Sequence, residues 1–403
     1  MDIEYRGVDD ANLAALLTAD ARAFGQAARK PGSPDTWARL ELERARVAVE
    51  GAEVVGVGRN YSFELTMPGG GVLPAAAVSW IGVLPTHRRR GVLRQMMREL
   101  HDDARAHGEA VSILTASESS IYGRFGYGIA TWQLGFSIDP RYSAFARPVD
   151  GSGSVRFVDD ATARSLLPPL YESVRPLRAG MVSRPEGWWD EAYFFAEPDE
   201  AWFYVVHADA SGADDGFAQY KIDSDWLGSD GITNARMTVL DVQARTDTAR
   251  VALWRYLFDV DLVAQVRVIG APIDDPVRWW LAEPRRLRVD YVNDRLYVAV
   301  HDPVAALGAR SYSASGSLVI DVHGADGEVR VALEAGDGVS ATTTTRSADV
   351  ALGVRELGSV LLGGVGWREL AAAGLIDEHV PGALARADAL FATFPAPATL
   401  SWF

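Results

Sequence analysis

The chain has no cysteine. That excludes disulfide frameworks, thiolate metal sites, cysteine nucleophiles and dithiol redox motifs together. Lysine is nearly missing too: Lys30 and Lys221 are the only two, so the basic charge is almost all arginine. Base is outweighed by acid, with 39 Lys and Arg against 54 Asp and Glu and a net charge of −15. A chain so acidic lacks the basic face that neutralises nucleic-acid phosphates, and no nucleic-acid partner is expected. A small cation would be drawn to it. The start, Met1-Asp2-Ile3-Glu4, carries acid where a signal peptide carries base, and it lacks an apolar core segment. One uncharged stretch, Leu65 to Thr86, has membrane-spanning length, but Pro68, Pro74, Pro85 and Gly69–Gly71 break it as a helix. It reads as a turn and a buried strand. A cytoplasmic protein without membrane insertion is expected.

What is present suits a globular chain. At 403 residues, 48% hydrophobic and 23% charged, it should form two or three domains. Its 12 tryptophans point to clefts and interfaces as well as cores. The first part reads as α/β: a helix over Asn12–Phe24, strands at Val47–Val49, Val54–Val57 and Ala75–Leu84, then an amphipathic helix over Gly91–His107. A strand at Ala110–Thr115, a short helix at Ser119–Phe125 and a strand at Thr131–Ile138 follow. Asp150-Gly151-Ser152-Gly153-Ser154 reads as a linker.

The middle part repeats this order. Strands are expected at Trp202–His207, Phe217–Ile222, Met237–Val242 and Ala264–Ile269, with a helix over Thr248–Phe258, as in an internal duplication. From about Arg288 the chain reads as α+β. Strands fall at Leu296–Val300, Ser317–Val322, Val329–Glu334 and Ala341–Thr345. Helices follow at Val354–Leu362, Trp367–Ala373 and Ala383–Phe391. The aromatic end, Ala398-Thr399-Leu400-Ser401-Trp402-Phe403, should be docked.

The sharpest local signal runs from Ile81 to Arg94, where a buried strand enters a basic turn, Pro85-Thr86-His87-Arg88-Arg89-Arg90-Gly91, and opens a helix. Unpaired N–H groups and the positive dipole end suit the first helical turn to a phosphate or pyrophosphate. Gly91 allows close backbone approach, and the arginines add pH-independent charge. Neither a P-loop Gly-Lys-Ser/Thr nor Gly-x-Gly-x-x-Gly is present. An ordinary helix start with solvated arginines would show the same residues. The next strand leads to Ser117-Glu118 and Ile121-Tyr122-Gly123-Arg124-Phe125-Gly126-Tyr127-Gly128.

Together these segments resemble the GCN5-related N-acetyltransferases (the GNAT superfamily), and more narrowly the enhanced-intracellular-survival (Eis) acetyltransferases. Arg88-x-x-Gly91 matches the pyrophosphate motif of the superfamily, although Leu93 stands where Gly or Ala is usual. The resemblance implies tandem GNAT-like domains at 1–148 and 149–286 and a sterol-carrier-protein-like α+β domain at 287–403. Val242-Gln243-Ala244-Arg245-Thr246-Asp247 replaces the basic turn in the middle part, which implies no pyrophosphate cradle there. Asp302–Leu307 and Leu357–Gly363 carry the likeness into the last part.

The implied activity is acetyl transfer from acetyl-CoA to a primary amine of an aminoglycoside, polyamine or lysine-type acceptor, in a homo-hexamer and without a metal. Arg88, Arg89, Arg90, Gly91, Val92, Leu93 and Arg94 would hold the coenzyme phosphates. Ile81, Gly82 and Val83 would offer N–H groups to the acetyl carbonyl, with Ser117 and Glu118 across the opening. Tyr122 would protonate the leaving thiolate, at about 2 kcal/mol from reference pKa values, while Tyr127 is structural. His87 should face solvent or phosphate. The carboxylate of Phe403 would be the base. Trp402 and Phe403 fit a simple aromatic anchor equally well, and only the resemblance favours the base. Phe24, Trp37, Trp80, Trp189 and Trp402 would line the acceptor cleft. Gln26 and Trp402 stand at positions matched to acids of the family, which makes a polycationic aminoglycoside a poorer fit. Two other classes remain: a hydrophobic-ligand-binding protein, or an acyl-CoA-binding regulator without turnover.

Overall fold

A computed structural model describes residues 3–10, 12–27, 40–195, 200–223, 233–324 and 327–403. The first sheet runs in the order β1 (Glu4–Gly7), β2 (Ala45–Glu50), β3 (Glu53–Thr66), β4 (Val72–Val83), β5 (Val111–Thr115), β14 (Leu296–Val300) and β6 (Gly128–Ile129). The second runs β8 (Ser154–Val158), β9 (Trp202–Ala208), β10 (Asp214–Ile222), β11 (Arg236–Ala244), β12 (Gln265–Pro272), β7 (Trp132–Ile138) and β13 (Arg288–Asp294). In each, the fourth and fifth strands are the parallel pair. Helices α1 (Leu13–Ala23) and α2 (Val92–Ala106) of the first part have counterparts α3 (Asp160–Val174) and α4 (Asp247–Phe258) in the second. The expected duplication is therefore present in the topology.

Its two halves exchange a strand. The sequence puts a strand at Thr131–Ile138 in the first part, yet β7 lies between β12 and β13 of the second sheet. Leu296–Val300, expected in the last part, instead pairs with β5 and β6 of the first. The two crossings are bonded to each other: the Ala130 N–H donates to the Leu296 carbonyl (2.8 Å) and the Arg295 N–H to that of Thr131 (2.9 Å). The sheets thus extend across the boundaries expected at 148 and 286, because a buried strand looks alike in sequence whichever sheet receives it.

Strand β3 is also much longer than the expected Val54–Val57. Its continuation carries Arg59 and Asn60, both buried. Arg59 lies over the Tyr61 ring at 4.1 Å, and the Asn60 amide donates to the Leu100 carbonyl at 2.7 Å. Partners of this kind make such residues tolerable in a core strand. The turn at Pro68–Gly71 and the strand after it fall where the sequence put them.

The third sheet has the order β17 (Val339–Thr343), β16 (Gly327–Ala335), β15 (Gly316–Gly324), β18 (Val350–Gly353) and β19 (Ile376–Glu378). Helices α5 (Val354–Val360), α6 (Trp367–Ala372) and α7 (Ala383–Phe391) bury Leu357, Trp367 and Leu390 in its core. Helix α5 also docks onto the first sheet by backbone contact. A Cβ at Gly128 would stand 1.9 Å from the Arg355 carbonyl, and one at Gly358 would stand 2.1 Å from that of Val298. Only glycine permits an approach this close. Among the described residues no helix is long and apolar enough to cross a membrane.

Candidate active site

The site begins where β4 and β5 part. They pair only over Ala75–Ala77 and Val111–Ile113, after which β4 runs on to Val83. The divergence coincides with a bulge: Arg59 pairs with Ser79 and Val57 with Gly82, so Trp80 and Ile81 together face Gly58. Trp80 takes a left-handed φ of 57°, an uncommon conformation for a bulky residue. Beyond the bulge, no ladder to β5 occupies Ile81, Gly82 and Val83 among the described residues. N–H groups facing the gap can therefore meet a ligand.

The basic turn follows. Gly91, at φ 85°, is the N-cap of α2 and supplies no side-chain cap, so the first N–H groups of the helix face outward. Arg88, Arg89 and Arg94 are exposed around it. Arg90 is engaged elsewhere, in an ion pair with Glu50 at 2.5 Å. His87, expected to face solvent or phosphate, is buried, with Nε2 2.9 Å from the same carboxylate and Nδ1 2.8 Å from the Thr86 hydroxyl. Arg90 first and then His87 hold the Glu50 carboxyl down at about 2. This clamp shapes the turn. In the second part, the Thr246 hydroxyl caps α4 by accepting from the Ala249 N–H (3.0 Å), and no arginine-rich turn precedes it.

Tyr122 ends a helical turn, Ser119–Tyr122, that follows exposed Ser117 and Glu118. It is buried among Val78, Met97 and Leu114 and meets Tyr127 edge-on at 6.0 Å. Burial, and secondarily Glu118, push its phenol up to about 12. Tyr127 is fully buried, and its hydroxyl lies 3.1 Å from His101 Nε2, as suits a structural residue.

Phe403 reaches the same place from the other face. Its ring packs on Phe63 at 5.1 Å, and a main-chain oxygen accepts from the Thr115 hydroxyl at 3.3 Å. Leu114 packs with Tyr122, and Thr115, the next residue, holds Phe403. Because strand neighbours point to opposite faces, Tyr122 and Phe403 lie across the sheet at its open end.

The terminal segment is fixed by the second part and by the crossing between β13 and β14. Arg295 donates to the Leu400 carbonyl (3.0 Å), Arg184 to the Ser401 hydroxyl (2.8 Å), and the Trp188 indole to the Trp402 carbonyl (2.6 Å). Trp402 is half-exposed beside a cavity of about 210 Å³ whose only described carboxylate, Asp241, is paired with Arg184 at 3.1 Å.

The expected cleft aromatics divide. Phe24 is 47% exposed and lies beside Gly82, and Trp80 is half-buried at the bulge. Trp189 is core: it is enclosed by Tyr171, Trp188, Tyr193 and Phe194 with Arg184 stacked on the group. Trp37 lies outside the described residues. Glu50, Thr115, Trp188 and Arg184 were not legible as site residues, since each acts through a partner distant in sequence. Asp321, His323 and Glu328 cluster closely enough for a metal, but Arg330 already reaches both carboxylates, at 2.7 and 3.0 Å.

Residues 4–130 and 180–301 each match an acetyltransferase (GNAT) domain family, and 294–399 match the sterol carrier protein domain. The chain is 38% identical over 400 residues to an uncharacterized N-acetyltransferase of Streptomyces coelicolor, covering 93% of this chain and 94% of that one. It is 35% identical over 381 residues to the N-acetyltransferase Eis of Mycobacterium tuberculosis, covering 90% of each. The crystal structure of Eis1 from Mycobacterium abscessus superposes with a TM-score of 0.88 at 34% identity, over the full length of both chains. The chain belongs to the Eis family of GNAT N-acetyltransferases, with two GNAT domains followed by a sterol-carrier-type domain.

Proposed function

We propose that this N-acetyltransferase moves the acetyl group of acetyl-CoA to a primary amine by direct attack, in the gap between β4 and β5. One observation carries the reading: an uncapped, arginine-flanked helix start adjoins that gap, with Tyr122 and Phe403 on opposite faces of its open end. The residues fit the co-substrate. Arg88, Arg89, Arg94 and the N–H groups of α2 hold the phosphates, while Arg90 and Glu50 brace the turn. N–H groups of Ile81–Val83 hydrogen-bond the thioester oxygen as it gains charge.

The amine nitrogen bonds to the acetyl carbon and the carbon–sulfur bond breaks. The Phe403 carboxylate, directly or through water, removes the amine proton. With a reference pKa near 3.5 it is a weak base, and it acts chiefly by position. Tyr122 stabilises the departing sulfur. A phenol at about 12 surrenders its proton to a thiolate near 8.5 at a cost on the order of 5 kcal/mol, more than reference values suggest. Donation of a hydrogen bond, completed by transfer as the thiolate forms, is therefore its role.

The acceptor is an amine, and a highly charged polycation is the poorer fit, because Asp241 is neutralised by Arg184. Exposed Trp279, Val289 and Val292, on or beside edge strand β13, support self-association, with a hexamer the proposed state. A panel of mono-, di- and polyamines scored for thiol release and amide product tests the reading. Release that ignores every amine would contradict it.

A further inference from the structure

A second feature adjoins the helix start. Between one face of α2 and the third domain lies a groove of about 670 Å³, a volume suited to a small ligand. Arg94, Arg98 and Arg105 enter it from α2, Arg124 from the turn after Tyr122, and Arg355 from α5. Among the described residues one aspartate, Asp102, lines it, and it is paired with Arg105 at 3.0 Å. Among the described residues, Arg98 bonds only a neutral amide, that of Gln95, and Arg124 bonds the Ile121 carbonyl. Among the described residues the carboxylate nearest Arg355 is Glu356, at 4.0 Å. His301 adds no charge, since burial first and then His101 hold it down at about 3. In a chain of net charge −15, this is a concentrated cationic pocket.

Its position suggests the occupant. Arg94 belongs to both the helix start and the groove, and Arg98 lies one turn on, about 6 Å along the axis. That is the scale separating two phosphates on one ribose. The Arg355 guanidinium lies against the turn after Tyr122, its Cζ 3.1 Å from where a Cβ of Gly123 would stand. A phosphomonoester carries about −1.5 to −2 at neutral pH and suits planar guanidinium donors. A long polyanion is disfavoured by the chain's net charge of −15, which a mononucleotide held within the groove meets less.

We propose that this groove takes the 3′-phosphorylated nucleotide end of acetyl-CoA, and that Arg355, from the third domain, binds the 3′-phosphate together with Arg124. The assignment rests on the coenzyme lying in the β4–β5 gap. It gives the sterol-carrier-type domain a direct part in coenzyme selection.

The test compares acetyl-CoA with acetyl-3′-dephospho-CoA, in turnover and by calorimetry of the corresponding free thiols. The wild-type protein should favour the 3′-phosphorylated form by about tenfold or more, the worth of a charge-assisted contact. Arg355→Gln should raise KM and Kd for the phosphorylated form, leave the dephospho form and kcat nearly unchanged, and so erase most of the preference. Arg355→Lys should restore part of it. Equal binding of both forms by the wild type would overturn the groove assignment while leaving acetyl transfer intact. So would an equal loss on both forms in Arg355→Gln. No binding or turnover of either form would instead overturn the acetyl-CoA reading, and the groove assignment with it.

Discussion

Replacing Gly128 by alanine tests how the third domain is joined to the catalytic sheet. The added Cβ would lie 1.9 Å from the Arg355 carbonyl and 2.7 Å from the Ser359 N–H nitrogen, both backbone atoms of α5. No side-chain rotation relieves such a contact, so the helix must retreat by more than an ångström. Overpacking in a dense interior costs roughly 1–3 kcal/mol, and a clash with backbone belongs at the upper end. Gly336→Ala is the control, because nothing lies within 4 Å of its Cβ position. Thermal melts and urea titrations should show Gly128→Ala markedly less stable than wild type and Gly336→Ala nearly unchanged. The retreat also shifts Arg355 and the turn after Tyr122, so the KM for acetyl-CoA should rise. Equal stability of the two variants would refute this account of the docking.

Tyr122→Phe should lower kcat by ~10²–10⁴-fold and spare coenzyme binding, whereas Tyr127→Phe should mainly reduce stability. Because Tyr122 must be protonated to donate and holds its proton to about 12, kcat should show no alkaline decline from this group below roughly pH 11. Glu50→Gln should raise the KM for acetyl-CoA by loosening the turn at Arg90. The depressed pKa of Glu50 means that its clamp is fully present above about 4.5 and is lost as pH falls toward 2, so KM should stay level down to about pH 5. Trp279→Glu should shift the mass measured by light scattering toward monomer, and an unchanged mass would remove this surface from the interface. Amidation of the Phe403 carboxylate should depress turnover and leave coenzyme binding unaltered, and normal turnover would assign the base to another group.

Much of this was legible because the signals are local. The alternation of strand and helix, the basic turn before α2, the proline- and glycine-rich break after Leu65 and the docked terminus each depend on residues close together in sequence. The exchange of β7 and β14 did not show, since both strands are buried and carry no mark of the sheet they join. His87 reads as a solvated cation in a basic turn until Glu50, 37 positions away, is brought against it. Trp188 and Trp189 are adjacent and alike in sequence. Only the packing of the terminal segment makes one a hydrogen-bond donor to Trp402 and the other plain core. The glycines after Tyr122 looked like a turn motif, and two of them in fact admit α5 and its arginine.

A structure of the protein with acetyl-CoA bound tests the central claim most directly. The account predicts the thioester between β4 and β5, its oxygen about 2.7–3.1 Å from a main-chain N–H of Ile81–Val83. It also predicts the sulfur beside the Tyr122 hydroxyl and the pyrophosphate on the first turn of α2. A thioester lying outside that gap, or a sulfur out of reach of Tyr122, would contradict it.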